Sequence, residues 1–212
     1  MTPRSLIALA AMTAALGATA GAQGLQMTIR PDSKLTLEGS SNVHDWTCRS
    51  AEFLATVEVD NRFATEPLTQ VAKPISKVQV TIPVKTLKCG HGKMDVNMYK
   101  ALKAEEFPDI LYTLSTYEVD RDSATADSFV AKTTGQLTVS GQTIPVEIPI
   151  KVQRTPTGAA RGEGKVTMLM TDFGIKPPVA LLGTLRTRNS ISISFNVLLD
   201  RATVVALSRN EP

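Results

Sequence analysis

Residues 190–197 read Ser-Ile-Ser-Ile-Ser-Phe-Asn-Val, an unbroken alternation of polar and apolar side chains near the carboxyl end of the chain. Successive side chains of a β-strand point to opposite faces, so the apolar residues share one face and the polar residues share the other. An alternation of this length predicts a strand with one buried and one solvated face. Strands of this kind are typical of antiparallel sheets.

The same alternation recurs along most of the chain. It is clear in residues 78–84 and 144–150, and it is weaker in 35–37, 53–59, 110–117, 129–139 and 166–170. Turn signals separate these segments at Ser140-Gly141, at Thr157-Gly158 and in residues 120–127. Pro145 and Pro149 lie on the face opposite the isoleucines of their strand, which predicts an edge or bulged strand. Many short strands without alternating helices predict an antiparallel sandwich or barrel.

One segment has the period of a helix instead. Within Lys93–Ala104, the apolar residues Met94, Met98 and Leu102 recur four residues apart and predict one amphipathic face. Phe107-Pro108 follows this segment, and proline cannot continue a helix. We expect a short helix that lies across a sheet or over one end of a barrel. The pattern does not distinguish a core-packing helix from a lid.

The composition is that of a globular protein. The chain has 212 residues, of which 42% are hydrophobic and 20% charged, with a formal net charge of +3. These proportions exclude collagenous, coiled-coil, disulfide-scaffold and wholly disordered classes. The charges are too few and too dispersed to indicate a nucleic-acid partner, and no apolar run reaches the ~18 residues of a membrane span.

The first 22 residues have the pattern of a cleaved signal peptide. Arg4 precedes an apolar stretch from Leu6 to Leu16, and small residues at 18–22 allow cleavage after Ala20 or Ala22. Residues 23–212 then form the mature chain, which we expect to be a single domain. The expected location is outside the cytoplasm, and the periplasm if the source is a Gram-negative bacterium.

Both cysteines, Cys48 and Cys89, belong to that mature chain. An even cysteine count in a secreted protein favours one disulfide between them. His44 and His91 lie close to the two cysteines in sequence, so a zinc site with two cysteine and two histidine ligands is an alternative, as are two free thiols. We expect the disulfide and no metal or other cofactor.

An ordered set of motifs resembles the YceI-like family. The matching segments are Gly39–Trp46, Ile82–Leu87, Met94–Lys103, Phe107–Ile110, Gly135–Gly141 and Thr171–Ile175. No single segment is specific, but together they span nearly the whole mature chain in order. The resemblance implies an extended lipocalin-like antiparallel barrel whose lumen takes a long isoprenoid chain. The family often carries an arginine before Asp-Phe-Gly, where this chain reads Met168-Leu169-Met170-Thr171.

His44-Asp45-Trp46 is the segment whose side chains are the strongest candidates for catalysis or for polar contact with a ligand. As a catalytic site, His44 would be a general base oriented by Asp45, with Ser40 or Ser41 as nucleophile. Adjacent residues of a strand point to opposite faces, which argues against that pairing. As a binding site, His44 would donate a hydrogen bond to a ligand head group, and Trp46, two residues on, would face the same side and pack on the chain. The alternative is a histidine satisfied within the protein and a core tryptophan near the end of the barrel. The candidate ligand-binding residues are His44, Trp46, Met94, Met98, Leu102 and Phe173.

Three functional classes follow. The favoured one is a non-catalytic carrier that binds an apolar lipid, such as an isoprenoid, in an open lumen. The alternatives are a structural or interaction barrel filled by its own side chains and, less favoured, a hydrolase that uses His44. The sequence leaves the head group and the oligomeric state open, a dimer included.

Overall fold

The computed structural model describes residues 24–50, 52–180 and 183–202, so the predicted signal peptide lies outside the described residues. The elements in chain order are β1 (Leu25–Ile29), β2 (Lys34–Ser41), β3 (Asp45–Ser50), β4 (Leu54–Val59), β5 (Ile75–Pro83), α1 (Gly92–Ala101), β6 (Asp109–Asp120), β7 (Ser128–Val139), β8 (Gln142–Arg154), β9 (Ala160–Leu169), β10 (Val179–Ala180) and β11 (Leu185–Arg201). Three short 3₁₀ turns cover Asn61–Ala64, Val84–Thr86 and Met170–Phe173.

The strands form a closed eight-stranded antiparallel β-barrel, which confirms the predicted fold class. β11 closes it, because it pairs with β9 along one edge and with both β2 and β1 along the other. β1 and β2 therefore share one position of the barrel, and β4 and β3 share the next. Closure pairs the outer strands with each other, although the first half of β8 pairs on one side only.

Side-chain alternation decides which residues face the barrel interior, here called the lumen. In β7 the odd-numbered residues from Phe129 to Val139 are buried, and the residues between them are more exposed. The register places Ile191, Ile193 and Phe195 of β11 opposite Met168, Val166 and Gly164 of β9. The apolar face predicted for residues 190–197 is therefore the lumen face.

β8 is an edge strand over only half its length. Its ladder with β7 covers all residues from Gln142 to Gln153, whereas its ladder with β9 begins at Ile150. Pro145 and Pro149 lie in the half that pairs on one side only, where a missing N–H costs no ladder bond. The edge prediction holds for this half, while the second half of β8 is an interior strand.

One end of the barrel, here called the plug end, is closed by the loop of residues 60–74, here called the plug loop. Phe63, Leu68 and Val71 are 1%, 1% and 0% exposed, and the first two join a core with inward residues of the strands. Arg154 fastens this loop, because its Nη1 donates to the carbonyls of Phe63 and Glu66, each at 2.6 Å.

The opposite end, here called the helix end, carries α1 and the 3₁₀ turn of residues 170–173. Met170 and Phe173 of that turn are buried in a second core. The helix runs from Gly92 to Ala101, so the prediction of Lys93–Ala104 was wrong at its carboxyl end, because Leu102 ends the helix and Lys103 has a positive φ of 51°. No residue within α1 is fully buried.

α1 is attached mainly to the segment that precedes it. The Tyr99 hydroxyl lies 2.8 Å from the carbonyl oxygen of Leu87, and the Asp95 carboxylate accepts a 2.7 Å hydrogen bond from the Cys89 backbone N–H. The predicted disulfide between Cys48 and Cys89 is confirmed, and it joins this segment to β3. Within the described part of the chain, no helix is long and apolar enough to cross a membrane.

Candidate ligand-binding lumen

The middle of the lumen is apolar and incompletely filled. The inward side chains near the two ends and along β7 are buried, but many of those between the ends on the other strands are only partly buried although they point into the barrel. This middle set comprises Leu35, Leu37, Val78, Val80, Leu114, Ile148, Ile150, Val166, Ile193, Phe195 and Val197. Side chains that face a close-packed core would have lost this exposure, so their residual accessible surface marks a space inside the wall.

Three aromatic rings of the wall lie over glycines, where a side chain would clash with the ring. A Cβ at Gly164 would lie 2.4 Å from the Phe195 ring, and one at Gly39 would lie 2.2 Å from the Trp46 ring. Gly135 is covered in the same way by the Tyr112 ring, at 2.5 Å. Any larger residue at these glycines would push the rings towards the barrel axis.

A small polar group lies among these apolar residues. Tyr112 donates a long 3.5 Å hydrogen bond to the Thr133 hydroxyl, which in turn donates to the Ile148 carbonyl at 2.8 Å. Burial raises the pKa of the Tyr112 phenol, and the hydrogen bond with Thr133 opposes that rise. The phenol therefore remains a neutral hydrogen-bonding group in the lumen.

Trp46 has an unpaired donor. Its ring packs against the core at the helix end, and its indole Nε1 is buried without a hydrogen-bond partner in the described structure. A buried N–H without a partner costs about 1–3 kcal/mol, so such groups usually indicate a missing acceptor. An oxygen of a bound ligand or a water molecule would supply that acceptor.

The structure brings only some of the predicted site residues together. Trp46, Leu102 and Phe173 lie in the core at the helix end, and Phe173 is only 2% exposed. Met94 and Met98 are partly buried on α1, with the Met98 sulfur 3.7 Å from the Cys89 sulfur. His44 lies apart from them, with an exposed side chain in the turn between β2 and β3.

Two of the alternative roles involve side chains that already have other partners. The Ser41 hydroxyl donates to the backbone carbonyl of His44 at 2.8 Å, so it is engaged in a turn. The zinc site is wrong, because the disulfide consumes both thiols. In the described ranges, no three His, Cys, Asp or Glu residues are grouped so as to hold a metal ion.

The sequence patterns did not predict the Tyr112–Thr133 pair or the three glycines that aromatic rings cover. The weak alternation of residues 110–117 predicted a strand, but not which residue would lie opposite the Tyr112 hydroxyl. That depends on the register between β6 and β7, in which Tyr112 pairs with Leu137 and a shift occurs between Leu114 and Thr116. Cross-strand neighbours follow from the register rather than from one strand's pattern.

Comparisons with known proteins agree with this architecture. The family model described as YceI-like domain matches residues 28–199. No curated protein matches the chain at a significant level.

Three solved structures are similar in fold. Burkholderia cenocepacia BcnA is 16% identical, with a TM-score of 0.63 over 80% of this chain and 98% of its own. A polyisoprenoid binding domain from Saccharophagus degradans, implicated in plant cell wall breakdown, is 13% identical, with a TM-score of 0.62 over 84% and 99%. The Campylobacter jejuni YceI protein is 16% identical, with a TM-score of 0.55 over 73% and 85%.

Proposed function

The chain belongs to the YceI-like domain family, and from that premise we propose that its lumen binds one long apolar lipid chain of the isoprenoid class without transforming it. The observation that carries this proposal is the set of inward apolar side chains that remain partly exposed in the middle of the barrel. The similar domain from Saccharophagus degradans is described as polyisoprenoid binding, which supports the choice of ligand class.

The energetics of such a ligand suit an apolar lumen. Burial of one CH₂ group contributes about 0.8 kcal/mol, so one five-carbon unit contributes roughly 3–4 kcal/mol. Association costs about 4–15 kcal/mol, which a few units offset. Affinity then depends on chain length more than on any single polar contact, and a carrier needs no catalytic group.

We assign the head group of the ligand to the helix end. There the Trp46 Nε1–H would donate to a ligand oxygen, while Met94, Met98 and Leu102 would cover the chain and Phe173 would limit its depth. His44 stays at the rim, where its exposed ring would contact only a head group that protrudes from the lumen. Replacing Trp46 with Phe should therefore weaken binding about 2- to 10-fold, and more than replacing His44 with Ala.

We also propose that residues 1–22 are removed and that residues 23–212 act as one domain outside the cytoplasm. The disulfide between Cys48 and Cys89 supports this location, because such bonds persist in oxidising compartments.

The test is native mass spectrometry of gently purified protein, with identification of any lipid released. Val166→Phe narrows the lumen, whereas Thr167→Phe adds the same ring to the exposed outer face of the same strand. We expect one lipid per chain in the parent protein and in Thr167→Phe, and a reduced or shorter lipid in Val166→Phe. Equal lipid content in both variants would refute binding in the lumen. A parent protein that neither carries nor takes up lipid would favour the filled structural barrel.

A further inference from the structure

The large apolar side chains that are exposed are concentrated at one end of the barrel. Six such residues occur in the described ranges. Four of them lie at the helix end, namely Val43, Val96, Leu169 and Val179, whereas Leu54 and Leu111 lie on the outer wall, where both pair with Thr81 of β5. Singly scattered apolar residues need no explanation, but a grouping at one end of a molecule does.

Three of these residues share a rim with three cations. We call Val43, Leu169, Val179, Lys176, Arg186 and Arg188 the rim patch. Val179 pairs directly with Arg186 across the ladder of β10 and β11, and Leu169 pairs with Ser190, two residues from Arg188. Val43, Val179 and Leu169 are 67%, 59% and 42% exposed.

Asn42 fixes the turn that carries Val43 beside the start of β11. Its side chain donates to the Thr184 carbonyl and accepts from the Arg186 N–H, both at 2.8 Å. A third bond runs from the Asn42 N–H to the Arg186 carbonyl at 3.1 Å. Val43 and Arg186 are therefore held beside each other on one rim.

The cations of the rim patch are available for an external partner. None of the three forms an ion pair with any described residue, although the Arg186 Nε donates to the Gly183 carbonyl at 3.0 Å. Two carboxylates share the rim, Asp45 and Asp172, and Asp172 accepts from the Leu169 N–H at 3.3 Å. At the plug end, by contrast, Arg154 is paired with Asp127 at 2.6 Å.

We propose that the rim patch docks the helix end of the barrel onto the surface of an anionic lipid bilayer. Exposed apolar side chains gain free energy by entering the boundary between head groups and acyl chains, and neighbouring cations attract anionic head groups. A soluble polyanion would pair with the cations but leave the apolar side chains of the rim patch in water. An anionic bilayer fits both the cations and the apolar side chains. The proposal goes beyond lumen binding and does not depend on it.

The experiment is co-sedimentation of the purified protein with phosphatidylcholine vesicles that contain or lack phosphatidylglycerol. We expect binding to the anionic vesicles that weakens as salt is raised, and little binding to neutral vesicles. Arg186→Glu and Arg188→Glu should each weaken binding about fivefold or more, since one basic residue near such a surface contributes about 1 kcal/mol. Val43→Ser and Val179→Ser should weaken it at unchanged charge.

Two matched variants serve as controls. Lys73→Glu reverses an exposed cation at the plug end, and Leu54→Ser removes the exposed leucine of the wall, so both should leave vesicle binding unchanged. An equal loss in these controls, equal binding to both vesicle types, or equally tight binding to heparin would overturn the proposal. Val166→Phe should still bind vesicles, so failure of lumen binding and failure of docking are distinguishable.

Discussion

Removing the disulfide between Cys48 and Cys89 should destabilise the barrel strongly. The bond joins residues 41 apart in sequence, and Cys48 is fully buried. It is also the covalent link between β3 and the segment to which α1 is attached. The informative change is the double variant Cys48→Ala, Cys89→Ala, because a single variant would leave one reactive thiol.

The expected loss follows from the loop that the bond closes. In the chain-entropy model, a bond that closes a loop of about 41 residues contributes about 4 kcal/mol at 25 °C. For a domain of this size, each kcal/mol corresponds to about 2–4 °C in Tm, so Tm should fall by about 8–16 °C. The lost packing of Cys48 in the wall adds to this figure rather than opposing it.

Urea unfolding monitored by Trp46 fluorescence measures the change, with the oxidised parent protein as reference. The reduced parent, kept under dithiothreitol, is the matched control and should lose about the same stability as the double variant. A loss below about 1 kcal/mol in both would show that the loop is already constrained in the unfolded chain, and it would refute this reasoning.

Three further predictions concern the two ends of the barrel. Met98→Asp should lower the free energy of unfolding by about 1–2 kcal/mol, because Met98 is only partly buried. Lys100→Asp should leave it nearly unchanged, and equal shifts in Tm for the two variants would contradict the assigned face of α1. Burial raises the pKa of Tyr117 above its ordinary value near 10, so the free energy of unfolding should fall as pH rises above 10, and Tyr117→Phe should flatten that part of the pH profile. Arg154→Met should lower the free energy of unfolding in urea by about 3 kcal/mol, because two carbonyls of the plug loop lose a charged donor. A loss below 1 kcal/mol would show that apolar contacts alone hold the loop.

Much of the fold could be predicted from local pattern. Each alternating segment lies wholly or largely within a strand, and residues 190–197 lie within β11. β1, β3 and β10 gave no such signal, because they are short or their alternation is mixed with polar residues. The closure of the barrel could not be derived from period two, since it depends on β11 pairing with three other strands.

The candidate site could be predicted only in part. Trp46 was a candidate because it lies two residues from His44, and the helix that carries Met98 followed from its four-residue spacing. The exposure of His44 depends on the turn that Ser41 stabilises, and no one-strand pattern contains that information. The plug loop was also missed, because Phe63 and Leu68 are buried by tertiary contacts rather than by a regular period.

The most direct test of lumen binding is the affinity of delipidated protein for isoprenoid alcohols of increasing length. Trp46 is the only tryptophan, so its fluorescence reports ligand near the helix end. We predict that each added five-carbon unit tightens binding, by up to roughly 3–4 kcal/mol, until the lumen is full and the affinity levels off. An affinity that does not change with chain length would contradict binding of the chain inside the barrel.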